Sequence, residues 1–402
     1  MTERTEPGSN ALQITETAVP GASVKNGVPL IPKANLEPPR REYQPRTPHC
    51  EPHRSHQHDG RGGHVYGALD LGTNNCRLLV ARPSRRGFQV IDAFSRIIRL
   101  GEGVSQSGRL SDAAMKRTLE ALKICSDKMQ RRNVGRSRLI ATEACRVAEN
   151  GAEFVQRAYR ETGLKIEVIS RETEARLAVA GCASLIDRDC QWALVFDIGG
   201  GSTELIWLDL GRLGPNGHQT LCDRAKVQNA IAAWTSLPVG VVTLAEKFGG
   251  RQVDGVVFEA MVGDVLDKLA PFENANGFLA KLAKSAAHLL GTSGTVTTIA
   301  GVHLRLASYS RSRVDGCWLS DEEIRCVSRE LLSLSYEGRA QQPCIGPERA
   351  VLVLAGCAIL EAIMQLWPCK RLRVADRGLR EGILTSLMAE DHHLRENRRR
   401  RY

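Results

Sequence analysis

Two stretches of the chain carry residues suited to phosphate chemistry. Asp70-Leu-Gly-Thr-Asn-Asn75 and Asp197-Ile-Gly-Gly-Gly-Ser-Thr-Glu204 each follow an apolar run that reads as a buried strand. Their aspartates lie 127 positions apart, and each motif leads into a second strand. Each is thus a glycine turn between two strands, with one carboxylate at its entrance. Glycine lets the backbone approach an anion closely and take positive φ. Successive N–H groups in such a turn form a nest for phosphate oxygens. Thr73, Ser202 and Thr203 add hydroxyl donors. A carboxylate alone would repel phosphate, so the aspartates make sense as ligands for Mg²⁺, which bridges carboxylate and phosphate. Ordinary β-turns use the same residue types. The repetition, with aspartate at the same offset, favours the phosphate site.

A third glycine turn, Gly291-Thr-Ser-Gly-Thr295, follows the strand Ala286–Gly291 and opens a helix. Gly294 and Thr295 could hold an anion at that helix N-terminus, or simply cap the helix. Glu174 is a further candidate, near the start of a helix after Ile169-Ser170. Its alternative role is an exposed carboxylate paired with Arg171; Glu172, four before Arg176, reads as such a helix pair.

The elements that must position these groups fall into two runs. Strands over Val65–Leu69, Cys76–Ala81 and Phe88–Ala93 precede a helix capped by Ser111. Strand Arg138–Ala141, helix Glu149–Glu161, strand Lys165–Ile169 and helix Glu172–Leu185 complete a mixed α/β sheet. The pattern then restarts with strands Trp192–Phe196, Glu204–Leu208 and Ile231–Leu237. A loop or insertion covers Leu210–Asn229, and helices follow around Val242–Phe248 and Val253–Leu269. Ser320 and Glu323 form a capping box, and a helix starting at Pro347 carries Leu352, Ala355, Ile359 and Ile363 on one face. Strand Lys370–Val374 and helix Gly378–Met388 close the body. The domains expected are a Pro/His-rich disordered arm over 1–64, two lobes over 65–186 and 187–390, and a basic tail over 391–402.

Composition narrows the class. The chain has 402 residues, 42% hydrophobic and 25% charged, which is ordinary for a globular protein. Lys and Arg number 55 against 45 acids, a formal net charge of +10 that suits an anionic partner. No apolar run is long enough to span a membrane, and the N-terminus has no secretory pattern. The 12 cysteines include no Cys-x-x-Cys pair, so a reduced cytoplasmic protein is expected. His49, Cys50, His53, His56, His58 and His64 match no standard zinc spacing.

Taken together these motifs resemble the exopolyphosphatase/guanosine pentaphosphate phosphohydrolase (Ppx/GppA) family of the actin, sugar kinase and Hsp70 superfamily. The resemblance runs from Tyr66 to Met388. It rests on Ala68-Leu-Asp-Leu-Gly-Thr-Asn74, Ala141-Thr-Glu-Ala-Cys-Arg146 with Glu149-Asn150, Ile169-Ser-Arg-Glu-Thr-Glu-Ala-Arg176, Asp197 to Glu204, Gly291 to Thr295, and Asp376-Arg-Gly-Leu-Arg-Glu-Gly382. Asn75 departs from a common serine and Val241 from a cysteine of some members. The chain is similar to the short form, which lacks the helical HD-type domain of long members.

The resemblance implies an α/β fold of two ribonuclease-H-like domains around a central cleft. It implies Glu174 as the base that activates water, with Asp197 and Asp70 at the metal and Glu204 holding metal or water. Gly72, Thr73, Asn74, Arg146, Gly199, Gly200, Gly201, Ser202, Thr203, Gly294 and Thr295 would contact substrate phosphates. The implied reaction is Mg²⁺-assisted release of terminal orthophosphate from inorganic polyphosphate. The alternative substrate is guanosine pentaphosphate (pppGpp); a small-molecule kinase is the more distant reading. Nucleic acid and membrane are not expected partners, and a homodimer is left open.

Overall fold

The computed structural model describes residues 64–84, 87–187, 189–213, 227 and 229–399. Apart from His64, the expected N-terminal arm lies outside the described residues, as does most of the insertion after Leu213.

Two mixed sheets repeat one plan. The first contains β1 (Tyr66–Leu71), β2 (Asn75–Ser84), β3 (Gly87–Ile97), β4 (Arg136–Ala141) and β5 (Ile166–Val168), in the order β3-β2-β1-β4-β5. The second contains β6 (Trp192–Ile198), β7 (Thr203–Asp209), β8 (Ile231–Leu237), β9 (Ala287–Thr292), β10 (Trp318–Ser320) and β11 (Arg371–Val374). Its order is β10-β11-β9-β6-β7-β8. In each sheet the first strand pairs antiparallel with the next and parallel with the strand reached after a helical crossover. This is the ribonuclease-H-like arrangement expected for the two halves.

Period-two alternation puts both faces of β1 in apolar surroundings. Leu69 and Leu71 join Leu78, Leu119, Leu122 and Phe154 on one side. Tyr66 and Ala68 join Leu177, Ile383 and Leu384 on the other. The helix Asp112–Arg131 supplies Leu119 and Leu122, and starts where Ser111 accepts a hydrogen bond from Ala114 N–H.

The helix Arg171–Cys182 sits between the two sheets. Leu177 packs with the core of the first, whereas Ala175, Val179 and Cys182 pack with Val195, Ile206 and Leu290 of the second. Small residues make this possible: a Cβ on Gly181 would fall 1.8 Å from the Gly378 carbonyl oxygen. The last helix, Leu379–Arg399, lies against this helix and the first sheet, although it follows the second sheet in sequence. It also runs beyond the end at Met388 that the sequence pattern suggests. Tyr66 donates to Asp391 at 2.6 Å, and Arg136 pairs with Glu390 and Asp391, which holds the added turns.

Two other boundaries shift. The helix expected from Pro347 is broken into Pro347–Ala350 and Val353–Leu366. A short helix, Glu143–Val147, forms after β4, where the sequence pattern indicates none. Among the described residues no helix is long and apolar enough to cross a membrane. The cysteines among them are all free thiols.

Candidate active site

The two aspartates occupy matching places. Asp70 and Asp197 are each the next-to-last residue of the first strand of their sheet. Each turn is closed by the same bond: Gly72 N–H to the Asn75 carbonyl and Gly199 N–H to the Ser202 carbonyl, both at 2.9 Å. The hairpins then differ at one decisive position. Asp70 lies opposite Arg77, whereas Asp197 lies opposite Glu204.

Both turns open into one cleft. Gly72, Thr73 and Asn74 line it from one side, and Gly199, Gly200, Gly201 and Ser202 from the other. Gly294 and Thr295 reach it from the start of the helix Ser293–His303. Ser293 fixes that turn to the second loop, donating to the Ile198 carbonyl at 2.8 Å. Asp70, Asp197, Glu174 and Glu204 face the same space.

Thr203 is not at the cleft. Its side chain is buried and donates to the Val239 carbonyl at 2.7 Å, because the strand alternation that turns Ser202 and Glu204 one way turns Thr203 the other. Arg146 also stands behind the lining, and reaches the site through Glu174.

Glu174 is presented by the helix between the sheets, whose first turn is capped by Ser170 accepting from Thr173 N–H. It does not pair with Arg171. Arg146 Nη2 donates to its Oε2 at 2.9 Å, while Arg171 turns to Glu143, at 2.5 Å. Glu143 also takes two bonds from Arg146, at 3.0 and 2.7 Å, and the Ile169 carbonyl takes a third at 2.7 Å. The more peripheral Glu172 pairs with Arg176 on the helix surface, as its spacing suggests.

The electrostatics are those of a site built for cations and anions together. Burial, and then the charge of Glu204, hold the Glu174 carboxyl well above the ordinary range, with Arg146 opposing both. Burial and then Asp197 push Glu204 up to about 7, although Ser202 and Ser236 donate to it at 2.7 and 2.9 Å. Asp70 and Asp197 keep some surface open to the cleft, yet they lie so deep that burial raises both. At Glu143 burial works upward too, but the bonds from Arg171 and Arg146 outweigh it and hold that carboxyl down.

These carboxylates fit Mg²⁺. It is a hard cation that takes one or two carboxylates and completes its shell with water and substrate phosphate. Among the described residues no cluster of three His, Cys, Asp or Glu side chains is gathered for a metal, so an all-protein cage is not offered. Asp70 and Asp197 could supply the carboxylates, and the buried Asn74 Oδ1 is an acceptor without a donor. Glu204, held by two serines, would be the weaker ligand.

Two arginines went unmarked by the motifs. Arg77 and Arg349 line the cleft and form no ion pair among the described residues. Arg77 has a signal in the sequence, since a tight hairpin after Asp70 sets it opposite that aspartate. Arg349 has no such signal; it sits in the short helix Pro347–Ala350, just before the unexpected break. Glu143 was visible within its motif, but its role as the anchor of two arginines depends on a helix elsewhere in the chain.

Comparison with known proteins places the chain in a family. Residues 79–391 match the model of the Ppx/GppA phosphatase family. The crystal structure of the Aquifex aeolicus member of that family is 27% identical, with a TM-score of 0.64, covering 82% of this chain and 98% of its own. The structure of an exopolyphosphatase-like protein is also 27% identical, with a TM-score of 0.68, covering 80% of this chain and 97% of its own. An exopolyphosphatase from Cytophaga hutchinsonii, 22% identical over 81% of this chain and 98% of its own, shares the fold with a TM-score of 0.69. With a family match over most of its length, this chain belongs to the Ppx/GppA phosphatase family.

Proposed function

We propose that this phosphatase hydrolyses the terminal phosphoric anhydride of inorganic polyphosphate. The observation that carries the reading is the convergence of Glu174, held by Arg146, with both glycine loops on one cleft. The loops bind the terminal phosphate through backbone N–H groups. Glu174 takes a proton from water as the water oxygen forms its bond to the terminal phosphorus. The bridging P–O bond breaks, and its electron pair leaves with the shortened chain. Orthophosphate departs, and Glu174 returns its proton to solvent. Arg146 orients Glu174 and partly opposes the burial that raises its pKa. Asp70 and Asp197 would hold Mg²⁺, which would supply positive charge against the charge developing on the phosphoryl oxygens.

An extended polyanion is favoured over a nucleotide by Arg77 and Arg349, which add positive charge along the cleft beyond the loops. The test is orthophosphate release with Mg²⁺ from polyphosphate of defined length, from pppGpp and from ATP. Polyphosphate turnover lost in Glu174→Gln, with substrate binding kept, is the expected result. Preferential turnover of pppGpp would move the substrate to the nucleotide. Transfer of phosphate from ATP to a second substrate would replace hydrolysis by a kinase reaction.

A further inference from the structure

The two halves of the cleft are also joined at its rim. Glu246, on the helix Val241–Phe248 of the second half, reaches the first half with both carboxylate oxygens. Its Oε1 accepts from Gly103 N–H at 2.9 Å and its Oε2 from Ser105 Oγ–H at 2.5 Å. Neighbouring Lys247 and Lys268 both pair with Asp264 instead, so the carboxylate is committed to the seam.

The segment at each end of this bridge is hydrogen-bonded, a few residues away, to one of the glycine loops. On one side, the Asn74 carbonyl accepts from Ile98 N–H and the Thr73 carbonyl from Gly101 N–H, both at 2.9 Å. On the other, the Gly199 and Gly200 carbonyls accept from Val241 and Val242 N–H, at 2.9 and 2.8 Å. The loops themselves meet inside this ring: a Cβ on Gly200 would lie 3.0 Å from Thr73 Cβ. The halves also share the helix Arg171–Cys182, whose apolar residues pack with both cores, so the Glu246 bridge at the rim is a second and separate joint between them.

We infer that Glu246 is a positioning residue that latches the two halves shut, so that both glycine loops face one phosphate before substrate arrives. It touches neither the cleft lining nor the reacting atoms. Its effect is on the population of the closed form. A ligand that needs that form binds with an apparent affinity reduced by the fraction of molecules that lack it. At saturation the substrate itself holds the halves together.

The test uses the full chain with Glu246→Ala, Glu246→Gln and Ser105→Ala. One readout is steady-state hydrolysis of polyphosphate, which rests on the hydrolase reading. The other is energy transfer between one fluorophore on each half in ligand-free protein, which does not. For Glu246→Ala the expected result is lower transfer efficiency and a KM raised roughly five- to tenfold, with kcat within about twofold. Ser105→Ala and Glu246→Gln, each keeping part of the bridge, should fall between. Unchanged energy transfer, or a kcat that falls without a change in KM, overturns the latch. If the wild-type chain releases no phosphate, the hydrolase reading fails while energy transfer still decides the latch.

Discussion

Arg146 Nη2 and Glu174 Oε2 meet at 2.9 Å, across two helices 28 residues apart in sequence. Arg146 is itself held on two further sides, by Glu143 and by the Ile169 carbonyl. Glu174, the proposed base, is thus set by a cation held in place from three sides. Arg146→Ala should move the acid limb of the pH–rate profile upward. The sign follows from the balance at Glu174: burial and Glu204 raise its pKa, and Arg146 lowers it. Without the guanidinium the carboxyl holds its proton to higher pH, and only the ionised form accepts a proton from water. Initial rates of phosphate release across the pH range check this; an acid limb left in place would show that Arg146 does not govern the base.

Gly240 tests how closely the second loop is packed. A Cβ there would lie 2.4 Å from the Gly200 carbonyl carbon and 2.6 Å from Gly201 N. Both are backbone atoms of the loop, so it must shift. The Gly240 backbone is extended, with φ −138°, so no conformational strain adds to this effect. Gly240→Ala should cost about 1–3 kcal/mol in stability. It should lower kcat/KM by roughly 100-fold, as expected when reacting groups are misplaced by about an ångström. Melting curves and phosphate release on one preparation separate the two effects. A variant with unchanged kcat/KM would show that loop position is not limiting.

Much of this site was legible in the sequence, for physical reasons. Most strands along the chain and both loops follow from alternation and from a repeated Asp-x-Gly turn, which are local signals. What was missed depends on distant partners. The apolar stripe of the last helix shows that it is buried, but not that it crosses to the first sheet. Thr203 looked like part of a donor run until the strand placed it on the opposite face from Ser202. The break after Ala350 is hidden because the apolar stripe that marks the helix begins only at Leu352, and Pro347 is as good a helix start as any before it. Glu143 and Arg171 are 28 residues apart, and only the fold makes them a pair.

Glu204 sets stability against function. It is 1% exposed and its carboxyl is pushed up to about 7, above the ordinary carboxylate range. The folded state therefore binds the proton more tightly than the unfolded chain. In metal-free protein stability falls as pH rises from the ordinary carboxylate range through about 7, and stays low above it. Glu204→Gln removes that charge and should stabilise metal-free protein at pH 8 by about 1–3 kcal/mol, while lowering phosphate release. Added Mg²⁺ should stabilise the wild type more than it does Asp197→Asn. Denaturant titrations with and without Mg²⁺ measure both effects, and an Asp197→Asn variant with an undiminished Mg²⁺ response would remove Asp197 from the metal site.

His288 should govern stability at the acidic end. It is fully buried, its Nε2 accepts from Asp187 N–H at 3.0 Å, and its Nδ1 donates to the Leu289 carbonyl at 3.0 Å. Those bonds require the neutral ring, and burial pulls its pKa down to about 4. The unfolded chain takes up the proton near the ordinary histidine value, so it binds more protons than the folded state between about 6.5 and 4. The stabilisation is complete above that window and lost progressively as pH falls through it, by about 3 kcal/mol in all. His288→Gln keeps polar groups in place but cannot titrate, so its denaturation midpoint should fall less steeply from pH 6.5 to 4.5. Parallel midpoint profiles for the two proteins would place the acid sensitivity elsewhere.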